Sequence, residues 1–190
     1  MPAPPETGRF GSVVSAITTF VLTIFVITYY IVSMSGKLAR EIQQTKPFAS
    51  LEEEAFLNLG RTFEALQEKT TGLLKQYQLS GTQYNMLRIL RGAGTDGLTC
   101  SQATDRMLTP DPDVTRLLDR MEARHLIARE RSRQDRRVVI TRITREGLAL
   151  VAEIDRPLAD LLRTLMGRAG RDRLRELIDI LETLREGESP

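Results

Sequence analysis

Two residue types that build many functional centres are nearly absent from this chain of 190 residues: it has one cysteine, Cys100, and one histidine, His125. A lone thiol closes no internal disulfide, and one thiol with one imidazole falls short of the three or four ligands of a zinc site. A disulfide scaffold, a structural zinc site and an iron–sulfur centre are excluded, and no cofactor is expected. A nucleophile motif of the G-x-S-x-G kind is also missing, so an enzyme is not expected. Net charge is low, +2 over the whole chain. A charge that small says nothing about partners until it is located along the sequence. Charged residues make up 27% of the chain, an ordinary share that argues against wholesale disorder.

Charge is missing altogether from Phe10 to Gly36, a run of 27 residues whose centre, 12–34, is dense in Val, Ile, Leu, Phe and Thr. As a helix at ~1.5 Å per residue it would reach about 40 Å, enough for a ~30 Å hydrocarbon core. Tyr29 and Tyr30 stand near its end, where amphipathic rings favour the interface. Lys37, Arg40 and Lys46 follow, a weak cation bias that would place the remainder in the cytoplasm, anchored to the inner face of the membrane. A secretory signal fits less well, because the apolar run is too long and no A-x-A-like site follows it. The other reading takes Met34 as the true start and removes the anchor. The expected organisation is therefore an apolar segment at 1–36, a linker at 37–49, a folded domain at 50–186 and a tail at 187–190.

In the folded part, Phe56, Leu59, Phe63, Leu66, Thr70, Leu73 and Tyr77 alternate steps of three and four, one stripe of a helix over 51–77. Ser50 with Glu53 is a capping-box signature at its start. A shorter helix over 82–91 follows, and then Gly92-Ala93-Gly94-Thr95-Asp96-Gly97. That string is a literal G-x-G-x-x-G, but a helical pattern precedes it and no βαβ unit surrounds it, so it reads as a loop. Thr99 with Gln102 caps a helix to about Leu108. Asp111 is a good N-cap, with Pro112 in the first helical position of a helix that runs on to about His125. Residues 126–131 and 138–144 read as two short strands around a basic turn. A long helix and a last helix follow, interrupted at 167–170. A helix-turn-helix followed by a β-hairpin is a winged helix, so the fold class expected is mainly α: a winged helix-turn-helix with a small β-hairpin wing and a helical dimerisation platform.

Between Arg124 and Arg145 there are eight arginines, opposed only by Glu130 and Asp135. Basicity focused on one hairpin is the electrostatic footprint of phosphate contact. Arg133, Gln134, Arg136 and Arg137 occupy the tip, where a slender guanidinium-bearing arm suits a minor groove. Asp135 is a turn residue that also stands ready to fix a neighbouring guanidinium. On the second helix of the motif, Asp113, Thr115, Arg116 and Arg120 are the candidates for the major groove. Asp113 is the awkward member, since a carboxylate repels phosphate; stabilising the positive helix terminus suits it better than a base contact. Ser101 and Gln102 are candidate phosphate donors on the first helix. Cys100, in a first helical turn, reads as a small residue at that position rather than a redox centre.

Three segments carry a resemblance to the MarR family of bacterial transcriptional regulators: Gln83–Leu90, Val114–Glu122 and, most specifically, Asp135-x-Arg137-x5-Ile143-Thr144. The resemblance implies a homodimer whose platform is the first helix with the last two. It also implies that Arg137 enters a minor groove and that Thr115 and Arg116 read the major groove. A small-molecule effector between platform and DNA-binding lobes would release the DNA. His125 stands where the family usually has glycine, and the family pattern offers no counterpart of the apolar segment. The expected function is a regulator, more in keeping with a repressor, that binds a pseudo-palindromic operator in double-stranded DNA. The alternative is a membrane-tethered winged helix that binds protein without DNA.

Overall fold

The computed structural model describes residues 20–25, 36–109, 112–132 and 134–186. Two compact units divide the chain, Met1–Phe63 and Glu64–Pro190. In the first, residues 20–25 are helical, and Phe20, Val21, Leu22, Ile24 and Phe25 are exposed. The rest of the predicted 12–34 span lies outside the described residues. No helix among the described residues is long and apolar enough to cross a membrane. Helix α1 (Lys37–Glu41) buries Leu38 and Ala39. Helix α2 (Leu51–Gln76) begins in this unit and continues into the second. Ser50 Oγ accepts from the Glu53 N–H at 3.2 Å as the capping box predicts, but the Glu53 carboxylate reaches one residue further back, to the Ala49 N–H at 2.5 Å.

The second unit contains α3 (Gly81–Ala93), β1 (Leu98–Thr99), α4 (Cys100–Thr104) and α5 (Val114–Ala123). The hairpin β2 (Ile127–Arg131) and β3 (Val139–Ile143) follows, then α6 (Arg145–Met166), a 3-10 turn at Gly167–Ala169 and α7 (Arg171–Arg185). Helix, strand, two helices and a hairpin make a winged helix-turn-helix, mainly α as expected. The strands form one antiparallel sheet in the order β1-β3-β2, with Leu98 opposite Thr141 and Ile127 opposite Ile143. Strand β1 has only two residues, too few to leave an alternation in the sequence. The core joins Met86, Leu87 and Leu90 of α3 to Leu117, Leu118 and Met121 of α5 and to Val151 and Ile154 of α6. Fully burying each such side chain is worth roughly 1.5–3 kcal/mol. Arg91 of α3 forks onto Asp155 of α6 at 2.6 and 3.2 Å, a brace between the same two helices.

Helix boundaries follow from caps. Ser80 and Gln83 close a capping box before α3, with bonds of 3.1 and 3.0 Å, one turn earlier than the apolar pattern begins. Thr99 and Gln102 close the predicted one at α4, at 3.2 and 3.0 Å. Helix α4 ends at Thr104, short of Leu108, because Asn85 Oδ1 takes the Leu108 N–H at 2.9 Å and draws the chain away from the helical path. Asp113, not Asp111, caps α5: its carboxylate accepts from the Arg116 N–H at 3.3 Å, and Val114 opens the helix as the first buried residue. Asp111 itself lies outside the described residues. Of the G-x-G-x-x-G string, read as a loop throughout, Gly92 and Ala93 still belong to α3 and the turn begins at Gly94. Gly97, at φ +69°, presses so close to β3 that an added Cβ would lie 2.6 Å from Arg142 Cγ and 2.7 Å from the Thr141 carbonyl oxygen.

Helix α5 ends in a Schellman motif. The His125 N–H donates to the Glu122 carbonyl at 2.8 Å and the Leu126 N–H to the Met121 carbonyl at 3.0 Å. The residue between must be left-handed, and His125 has φ 56°. The histidine therefore adopts a left-handed turn geometry that glycine takes more easily, at an energetic cost. A left-handed conformation costs an L-residue roughly 1–2 kcal/mol, while glycine gives back roughly 0.5–1 through unfolded-state entropy. His125→Gly is expected to stabilise the fold by about 0.5–1 kcal/mol. Urea unfolding read as a raised midpoint with unchanged slope checks it; a lowered midpoint contradicts the cap.

Candidate nucleic-acid interface

Helix α5 buries Val114, Leu117, Leu118 and Met121 and leaves Thr115, Arg116, Asp119 and Arg120 exposed. The i, i+3, i+4 spacing of the buried set is what turns the others outward. Among the predicted site residues, Thr115, Arg116 and Arg120 thus share the free face of one helix. Asp113 sits at its N-terminus as the cap and pairs with Arg116 Nε at 3.2 Å. An ion pair this exposed is worth roughly 0–1 kcal/mol, so it holds Arg116 loosely. Ser101 and Gln102 are exposed on α4. The Gln102 side-chain oxygen is committed to the Thr99 N–H, which leaves its amide nitrogen as the donor for a phosphate.

At the wing, Gln134, Asp135, Arg136 and Arg137 are exposed, while Arg133 lies outside the described residues. Among the described residues, no guanidinium pairs with Asp135. Its carboxylate accepts from the backbone N–H of Arg137 at 2.9 Å and its carbonyl from Val138 N–H at 3.0 Å. This is an Asx turn, and it sets the direction in which the chain leaves the tip. Ser132 Oγ accepts from the Gln134 N–H at 3.2 Å and braces the other side.

Four of the eight arginines are engaged within the fold. Arg124 Nη1 donates to the Gln78 carbonyl at 2.6 Å, and Arg131 Nη1 to the Arg136 carbonyl at 3.0 Å. Arg142 Nε donates to the Thr95 carbonyl at 2.7 Å and clips the glycine turn to β3. Arg129 is taken by carboxylates of α5: Nε donates to Glu122 at 2.8 Å and Nη2 to Asp119 at 2.6 Å. A charge count confined to 124–145 overstates the free cation of the hairpin, because it omits these two acids. Among the described residues, Arg136 and Arg137 remain at the tip with side chains engaged by no neighbour.

Arg129 is the residue that sequence reasoning assigned only to the patch. Its backbone N–H also donates to Glu122, at 3.2 Å, so strand β2 is fastened to α5 by main chain and side chain together. Helix α5 and strand β2 are thereby joined at the base of the wing. Thr144 completes the joint. Its hydroxyl donates to the His125 carbonyl at 2.6 Å and accepts from the Gly147 N–H at 3.0 Å, so the residue after β3 ties the end of α5 to the start of α6. Gly147 is required there, since a Cβ would strike the Leu126 carbonyl oxygen. The Arg129 joint leaves no simple local signal, because it reaches across the turn between α5 and β2, whereas Thr144 with Gly147 has the ordinary spacing of a helix cap.

A profile described as "MarR family" matches residues 77–138, which run from the end of α2 to the wing. The MarR transcription factor of Planctomyces limnophilus is 37% identical, with a TM-score of 0.57 over 72% of this chain and 98% of its own. This chain belongs to the MarR family of transcriptional regulators. The HTH-type transcriptional regulator MhqR of Bacillus subtilis is 27% identical over 99 residues, 52% of this chain and 67% of MhqR. The S. aureus MepR–DNA complex has the same fold, with a TM-score of 0.62 at 23% identity, covering 68% of this chain and 95% of MepR. Membership favours the regulator over the winged helix that binds only protein.

The clasp gives a pH signature. Arg129, hydrogen-bonded to Glu122, holds that carboxyl below its ordinary value near 4.5. A depressed carboxyl contributes stability in full above its unfolded value and loses it as pH falls through the folded one. Arg129→Met is expected to lower the urea midpoint at neutral pH and to shrink the loss of stability between pH 7 and about pH 3.5. An unchanged acid loss in the variant contradicts the clasp.

Proposed function

We propose that this MarR-family protein binds a pseudo-palindromic operator as a homodimer and represses transcription. Each protomer sets the exposed face of α5 into a major groove and the β2–β3 tip into the neighbouring minor groove. Thr115 and Arg116, with Arg120 one turn on, read base edges. Arg137, with Arg133, Gln134 and Arg136, enters or flanks the minor groove. Ser101 and Gln102 hold phosphate, and Asp113 and Asp135 shape the backbone rather than touch DNA. The observation that carries this reading is the Arg129 clasp, which joins the strand that leads to the cationic tip to the helix with the exposed polar face. Two such pieces related by a two-fold axis meet successive major grooves about 34–36 Å apart.

The exposed apolar residues of the last helix support the dimer. Leu177, Ile178, Ile180 and Leu184 of α7 are exposed in the single chain, as is Leu162 of α6. In the first unit Leu51, Phe56, Leu59 and Phe63 of α2 are exposed too. Burial between two copies accounts for both. A small-molecule effector that alters the spacing of the two recognition helices would release the DNA. The uncharged run Phe10–Gly36 favours tethering of the regulator to the inner face of a membrane, with its DNA-binding domain in the cytoplasm.

Fluorescence anisotropy of the full chain with duplex fragments from its own promoter region tests this reading. Affinity is expected to fall steeply with salt, and Arg137→Ala to weaken binding about tenfold and lower the log–log salt slope by about one. Salt-insensitive binding, or an Arg137→Ala variant that binds as wild type, overturns it.

A further inference from the structure

A second cationic surface lies away from the wing. Residues 163–175 contain five arginines and one aspartate. Asp160 is engaged by Arg163 at 2.6 Å and Arg156 at 3.9 Å, and Asp172 by Arg175 at 2.7 Å. That leaves Arg168, Arg171 and Arg173 exposed, with no carboxylate partner among the described residues. Arg168 lies in the 3-10 turn and the other two in the first turn of α7. Cations at a helix N-terminus oppose the helix dipole, and Gly170 supplies no side-chain cap, so folding alone does not favour this placement. The patch stands at the far end of α6, whose 22 residues carry it about 33 Å from the base of the wing.

We propose that Arg168, Arg171 and Arg173 form a docking surface for an anionic phospholipid membrane. The patch is spread over a turn and a helix start, from Arg168 to Arg173. Three charges spread in this way suit an extended array of anions better than a single small one. Its place at the end of α6 remote from the wing leaves it free while α5 and the wing hold a duplex. The same chain carries 27 consecutive uncharged residues, Phe10 to Gly36, of a length that fits a hydrocarbon core. Basic residues beside an anionic leaflet add binding in proportion to their number. The arginines act at the lipid surface whether or not that run crosses the bilayer, so the two contributions separate experimentally.

Flotation of the full-length protein with vesicles of phosphatidylcholine alone, and of phosphatidylcholine with phosphatidylglycerol, tests the proposal. Binding to neutral vesicles reports the apolar run; the ratio of anionic to neutral binding reports the arginines. Each arginine is expected to raise that ratio about fivefold, so Arg168→Gln, Arg171→Gln and Arg173→Gln together lower it on the order of a hundredfold. Duplex affinity is expected to stay at the wild-type value, and saturating duplex to leave the ratio intact. A wild-type ratio near one overturns the proposal, as does a ratio unchanged in the triple variant. Loss of the ratio in Arg136→Gln/Arg137→Gln assigns lipid binding to the wing and overturns it. Loss of duplex affinity in the triple variant makes the patch a DNA contact and overturns it likewise.

Discussion

One guanidinium sets how the wing lies against α5, the surface we propose to face DNA. Arg129, on the first strand of the wing, is held by Asp119 and Glu122 on the recognition helix. Its side chain is only 25% exposed, so the pair is screened less than the other ion pairs of the surface. Without it the hairpin would rest on α5 through the Arg129 N–H bond to Glu122, the Thr144 hydroxyl bond to the His125 carbonyl and the packing of Leu126 and Ile127. A two-stranded ribbon is a poor lever unless its base is fixed. The energetic value of the clasp is modest, but its directional value is larger: a planar fork fastened at two points cannot rotate freely.

The rest of the architecture positions that piece. Thr144 ties the end of α5 to the start of α6, and Gly147 permits the close approach. Arg91 and Asp155 brace α3 against α6, and Arg124 fastens the end of α5 to the turn after α2. These contacts connect DNA-binding elements to the long helices of the fold. A change in the spacing of those helices, whether from an effector or from membrane attachment, would therefore reach the recognition helix through rigid parts and not through loops.

Much of this was legible in the sequence. The winged helix followed from the order of elements, because the periodicity changes from helical to alternating and back within a short stretch. The hairpin bounds and the 167–170 break were readable for the same reason, and so was the Thr99–Gln102 cap. What was not legible depends on contacts distant in sequence. Leu108 is drawn out of its helix by Asn85, 23 residues earlier, and no local propensity records that. The basic cluster looked like one patch because charge counting along the chain cannot see Asp119 and Glu122 reaching across. His125 stands where the resemblance implies glycine, and its backbone takes the left-handed turn that suits glycine. The fold dictated the geometry there and the side chain tolerated it.

Hydroxyl-radical footprinting of the full-length protein on its own promoter region tests most directly the claim that helix and wing act together. The account predicts two equivalent protected sites about 10 base pairs apart, or a multiple of that, each a major groove with protection in the adjoining minor groove. Protection of the major groove alone, or no protection at low ionic strength, contradicts it.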